Sequence, residues 1–172
     1  MSNHMNIENN ERKVPYYALH ENGLIAGFFG SFSFLSNFYI LKNGVCFEEI
    51  FFPSVEHAYQ AAKWPIELRV QFVDVTAGKA KQLGGMAPKF DARKWNKKKY
   101  SIMEALVNQK FINNLELQSL LLMLDGYHLE ERNSWNDKFW GTDINGHGEN
   151  KLGIILMTIR DIMIGNRDKS IF

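Results

Sequence analysis

The sequence predicts an α+β fold: a single helix-dominated domain with a small sheet toward its N-terminal half. Three observations carry this. From Glu67 onward, apolar residues recur at helical spacing. Before that point, two short apolar runs bounded by Gly and Asn-Gly read as strands. Finally, 45% of the 172 residues are hydrophobic, and no repeat, low-complexity stretch or linker interrupts residues 14 to 168. One shared core is therefore expected over residues 14–172.

In order, Met1 to Lys13 is rich in Asn and charge and reads as a disordered tail. Leu24 to Phe29 is an apolar run ending at Gly30, a strand. Phe32, Phe34, Phe38 and Tyr39 crowd the following segment, dense for a loop. After the Asn43-Gly44 turn, Val45 to Phe52 reads as a second strand. Pro53 to Trp64 is a short helix: Ser54 can cap it, and Pro65 ends or bends it. Ile66 to Val75 and Ala77 to Leu83 are two further helices, the latter closed by Gly84-Gly85. Asn96 to Asn113 carries Tyr100, Met103, Leu106, Val107 and Phe111 on one stripe, and Leu115 to Leu124 stays helical. Lys151 to Ile164 turns Leu152, Ile155, Leu156, Ile159 and Met163 inward.

The formal net charge of +1 argues against a surface built for bulk DNA or RNA, yet leaves room for contact with one modified base. Cys46 is the sole cysteine, so no internal disulfide forms, and a cytoplasmic setting is expected. No apolar run approaches the ~20 residues of a membrane span, and no signal core opens the chain. His4, His20, His57, His128 and His147 show no ligand spacing, so neither metal nor cofactor is expected. His57 reads as a structural histidine.

Chemistry concentrates in three places. In the Ser54 helix, Val55, Tyr59 and Ala62 form the apolar stripe, whereas Glu56, Gln60 and Lys63 line up at i, i+4 and i+7. A carboxylate, an amide and an ammonium in one row suit either a solvated face or the wall of a sugar or nucleotide pocket. Trp135 to Lys151 is rich in Trp, Asp, Asn and Gly and feeds the last helix near Asn150, whose N-terminal amides could meet a phosphate. Alternatively Asn150 is a plain cap on a surface loop. Arg93-Lys94-Trp95 followed by Asn96 to Lys99 offers a phosphate contact through Arg93 and base stacking on Trp95, or a solvated helix start with Trp95 in the core.

Five segments occur in a telling order: Phe34 to Tyr39 (FLSNFY), Ser54 to Lys63 (SVEHAYQAAK), Asp137 to Gly141 (DKFWG), Gly148 to Gly153 (GENKLG) and Leu156 to Arg160 (LMTIR). Together they resemble the NADAR, or YbiA-like, family over roughly Phe28 to Met163. The resemblance implies an N-glycosidase that cuts the bond between a nitrogen and the anomeric carbon of a ribose. It implies two substrate groups: ribosylamino-pyrimidine phosphates of riboflavin synthesis, and ADP-ribose on guanine in DNA. It places the family's acids on Glu56 and Asp137, its tryptophan on Trp95 and its helix-closing lysine on Lys63. Two departures bear on substrate choice: Lys94 stands where many relatives carry an acid, and Asp125-Gly126 replaces a more usual Thr-Gly.

Breaking such a bond builds positive charge on ribose and negative charge on nitrogen, so two carboxyls in unlike environments are wanted. Glu56, in a first helical turn, is expected to be biased to its ionised form by the helix dipole. It would stabilise the sugar cation and activate water. Asp137, between Trp135 and Trp140, is expected to be partly desolvated, to hold its proton longer and so to serve as the acid. Lys63 would neutralise an anion or attack ring-opened ribose as a Schiff-base nucleophile. Asn37, Phe38, Gln60, Trp140, Gly141 and Asn150 join Arg93 and Trp95 as substrate contacts. A non-catalytic module binding ADP-ribose or NAD-derived nucleotides is the competing expectation. The sequence is silent on oligomeric state.

Overall fold

The computed structural model describes residues 19–169; the expected N-terminal tail, residues 1–13, lies outside them. Among the described residues, five α-helices and two small sheets form the helix-dominated α+β architecture. The helices are α1 (Val55–Ala61), α2 (Ala77–Gly84), α3 (Ala92–Ile112), α4 (Leu115–Leu122) and α5 (Lys151–Lys169). Strands β1 (Leu19–Glu21), β2 (Leu24–Ala26) and β5 (His128–Glu130) form one sheet in the order β1-β2-β5. In it β1 is antiparallel and β5 parallel to β2, with Ile25 opposite Leu129. Strands β3 (Val45–Phe47) and β4 (Ile50–Phe52) form a separate hairpin.

Local chemistry explains most boundaries. Gly27, at φ +84, turns the chain out of β2 three residues before the expected end. The single strand expected over Val45 to Phe52 is instead a hairpin, because Glu48 and Glu49 both adopt positive φ (46° and 68°) and reverse the chain. Gly30–Leu35 and Ile66–Phe72 are 3₁₀ segments, where the sequence suggested a loop and an α-helix. Asp91 accepts from the amides of Arg93 and Lys94, each at 3.0 Å, and so starts α3 four residues before the expected Asn96.

The core runs through all layers. Val55 and Tyr59 of α1 meet Trp95, Met103, Leu106 and Phe111 of α3, Leu152, Ile155 and Leu156 of α5, and Ile25 and Leu129 of the sheet. Polar groups inside it are tied down. His57 Nε2 donates to the Val75 carbonyl at 2.8 Å while the Ser54 hydroxyl meets Nδ1 at 2.7 Å, a structural role. Arg160 donates to the carbonyls of Leu124 and Tyr127 at 2.7 and 2.6 Å, closing the chain beyond α4. Among the described residues no helix is long and apolar enough to cross a membrane.

Candidate active site

Helix α1 is buried on every side, not amphipathic. Glu56 is 5% exposed and Gln60 6%. Its polar row faces a cavity of about 850 Å³, a size suited to a nucleotide-like ligand. The row is internally bonded. Gln60 Nε2 donates to Glu56 Oε1 at 2.8 Å, and Lys63 Nζ donates to Gln60 Oε1 at 2.6 Å. The Glu56 amide donates to the Asn37 carbonyl at 2.9 Å, which holds the aromatic segment against this helix.

The facing wall is the loop after β5. Asn133 locks it: its Oδ1 accepts from the Asp137 amide at 3.0 Å and its Nδ2 donates to the Asp137 carbonyl at 2.9 Å. Asp137 Oδ1 in turn accepts from the amides of Trp140 at 3.0 Å and Phe139 at 3.3 Å. Trp140 packs edge-on to Tyr59, with ring centroids 5.6 Å apart, and stacks along Tyr100. Trp95 lies 5.1 Å from Tyr59 on the same side, so these rings make a rigid aromatic wall.

Electrostatics inside the cavity depart from the expectation for Glu56. Burial raises its carboxyl above the ordinary range, outweighing the Gln60 hydrogen bond and the nearby Lys81 and Lys63 charges. The helix dipole therefore does not decide its state, because desolvation of a nearly enclosed carboxylate is the larger effect. Burial also lowers the Lys63 ammonium and raises the Tyr59 phenol. Trp135 is 48% exposed and Asp137 half-buried, so that carboxyl is only partly withdrawn from solvent.

The cavity gathers Asn37, Phe38, Glu56, Gln60, Lys63, Trp95, Asp137 and Trp140 from the sequence-derived set. Three others lie elsewhere. Arg93 is exposed on the first turn of α3, outside the cavity. Gly141 packs behind the loop, where an added Cβ would sit 2.0 Å from the Glu131 carbonyl oxygen. Asn150 bridges α5 to β5, with Nδ2 to the Leu129 carbonyl at 2.9 Å and Oδ1 from the Glu131 amide at 3.0 Å. The α5 N-terminus offers no phosphate site at its first amides: Lys151 and Leu152 donate to the carbonyls of Phe139 and Trp140.

Sequence reasoning missed Lys81 and Glu131 on the walls, which also hold Trp135 and Phe139 of the singled-out loop and Lys99, read from sequence as part of a solvated helix start. Lys81 Nζ lies 5.5 Å from the Phe38 ring and 5.3 Å from Trp135, between two exposed aromatics. Its signal was weak, one lysine on an ordinary short helix. Glu131 sat in the polar run Glu130-Glu131-Arg132-Asn133, which carries no motif. Two buried side-chain atoms lack a hydrogen-bond partner among the described residues, Asn37 Oδ1 and Glu131 Oε2, and both residues line this cavity. Unpaired buried polar atoms are rare in folded proteins, and an ordered water, an ion or a ligand group can satisfy them.

Known proteins resemble this chain in sequence and in fold. A riboflavin biosynthesis protein of Vibrio vulnificus is 35% identical over 134 residues, 74% of this chain and 35% of that protein. The chain thus spans about a third of that relative. An N-glycosidase of Nostoc punctiforme is 31% identical over 124 residues, covering 69% of this chain and 79% of that one. The NMR structure of the E. coli protein YbiA superposes with a TM-score of 0.72 at 25% identity, covering 90% of this chain and 95% of that one. The model of the NADAR domain matches residues 26–164, from the end of β2 through most of α5 and so including every wall of the cavity, and the chain belongs to that family.

Proposed function

We propose that this protein is an N-glycosidase that hydrolyses the bond between a ribose and a base or amine. The observation that carries the reading is the placement of Glu56 and Asp137 on facing walls of one aromatic-lined cavity that also holds Lys63. The names of the Nostoc and Vibrio relatives point the same way. The substrate is a small ribosylamino-pyrimidine phosphate or an ADP-ribosyl group on guanine in DNA.

The groups divide the work by environment. A buried carboxylate without full solvation is a strong base, and the positive charge growing on the ribose supplies the counter-charge that burial denies it. Glu56 accordingly stabilises the sugar cation and takes a proton from the attacking water. Asp137, aimed by two backbone amides, is a fixed carboxylate beside the sugar. Asn37 Oδ1 is free to accept from a ribose hydroxyl. Trp95 and Trp140 flank the base. Lys63 and Lys81 meet the phosphate, or Lys63 attacks the ring-opened aldehyde.

A nucleotide-binding module without turnover would use the same aromatics and lysines. It has no use for a desolvated carboxylate opposite a second acid, and that favours hydrolysis. The test is to incubate wild type and Glu56→Gln with ADP-ribosyl-guanine DNA and, separately, with the pyrimidine ribosylamine phosphate. Release of product from either, reduced about 10²–10⁴-fold in the variant, is expected for a group that moves a proton. Tight binding without release from either substrate would establish the module instead.

A further inference from the structure

The site holds a third acid. Glu131 follows β5 directly, and its backbone is pinned at both ends: its amide donates to Asn150 Oδ1 at 3.0 Å and its carbonyl accepts from the Thr142 amide at 3.0 Å. The side chain is thereby held on the cavity wall, with Oε2 buried and unpartnered. Glu56 and Asp137 each have one oxygen engaged as an acceptor, Glu56 Oε1 by Gln60 and Asp137 Oδ1 by two amides. A protonated carboxyl has one O–H to donate, and a substrate nitrogen entering the cavity offers it an acceptor.

Resting on the glycosidase reading, we propose that Glu131 is the general acid of the site and delivers the proton taken by the departing nitrogen. As the C1′–N bond breaks, its electron pair goes to nitrogen and the proton of the Glu131 carboxyl follows. Water adds to C1′ and gives its proton to Glu56. The two acids then exchange one proton through solvent to restore the starting state. Asp137 keeps the positioning of the sugar and is relieved of the acid role given to it from sequence.

The surroundings support a proton on Glu131 at neutral pH. Burial, with the charges of Asp137 on its own loop and Glu56 on α1, pushes the carboxyl up to about 7, against the pull of Lys81 on α2 and Lys110 on α3. A donor of this kind is competent below that point and loses its proton above it, so turnover falls on the alkaline side.

The experiment is a pH–rate profile of wild type, Glu131→Gln and Glu131→Asp on the substrate that wild type cleaves, with melting curves of each. We expect Glu131→Gln to lose about 10²–10⁴-fold in kcat and to lose the alkaline limb. Glu131→Asp recovers part of the rate with an alkaline limb. Glu131→Gln that turns over like wild type, or is slow with the alkaline limb unchanged, overturns the proposal and leaves the glycosidase reading standing. If both variants fail to fold, the wild-type profile decides, and a flat rate from pH 6 to 9 overturns it. A wild type that releases nothing from either substrate overturns the glycosidase reading itself.

Discussion

Gln60 stands one helical turn from Glu56 and donates its side-chain amide to Oε1 at 2.8 Å. Its other end carries the Lys63 ammonium, so one neutral side chain stands between the buried carboxylate and that cation. That spacing keeps Glu56 from being quenched by a direct ion pair, and it depends on the position of Gln60. Gly84, closing α2, is what leaves room for it: an added Cβ would sit 1.8 Å from Gln60 Oε1.

Gly84→Ala is therefore expected to displace the Gln60 side chain. Overpacking at such a site typically costs about 1–3 kcal/mol, and a kcat loss should accompany it because Glu56 loses its partner. Thermal melting and turnover of the variant check this. An unchanged melting point with unchanged kcat would show that α2 moves aside freely.

Recognition of the phosphate is assigned to Lys81 within the cavity, and not to Arg93 outside it. Lys81→Ala should raise KM for a phosphate-bearing substrate about tenfold or more, as expected for a charged hydrogen bond worth about 1.5–3 kcal/mol. Arg93→Ala should leave KM within twofold of wild type. Steady-state kinetics on the two variants side by side separates the assignments.

Lys63 sits with its ammonium lowered by burial and 5.5 Å from the centroids of both Tyr59 and Trp95. If it attacks ring-opened ribose, borohydride added during turnover will trap a protein–ribose adduct whose mass maps to Lys63. Lys63→Ala should then give none. An adduct that survives in Lys63→Ala rules this lysine out as the nucleophile.

Lys110 is the other buried cation of the region. Its ammonium donates to the Ser36 carbonyl at 2.7 Å, and burial lowers it to about 7, partly offset by Glu131. Unfolded, it titrates near the ordinary lysine value of about 10.4. Between about pH 7 and 10 the unfolded chain thus binds more protons than the folded one, so this group makes stability rise with pH across that window, by up to about 1.4 kcal/mol per pH unit. Lys110→Met removes that rise. The melting-point advantage of Lys110→Met over wild type should be largest at or below pH 7 and shrink toward pH 10. A difference that stays constant over the window would contradict a buried, titrating Lys110.

Much of this was legible in the sequence, and the reasons for the rest are physical. The long helices α3 and α5 announced themselves because their apolar residues repeat with the helical period. The Ser54 cap and the Glu56-Gln60-Lys63 row were readable for the same reason. The β3–β4 hairpin was not, since its turn uses Glu48-Glu49, residues without turn preference, in a left-handed conformation. Strand β5 is three residues long and pairs with β2 from across the chain, so no local pattern marks it. Glu131 was invisible for a related reason: its burial comes from Asn150, Thr142 and the sheet, none of which is a neighbour in sequence.

The parallel pairing of Leu24–Ala26 with His128–Glu130 also governs when the cavity exists at all. As the chain leaves the ribosome, the Glu56 wall can fold early with the helices that follow it. The opposite wall hangs on a strand whose partner was made about a hundred residues before. Contacts so far apart in sequence are slow to close. A chain halted before His128 lacks β5 and the whole Asn133–Trp140 wall, so the enclosure around Glu56 cannot form until those residues have been made.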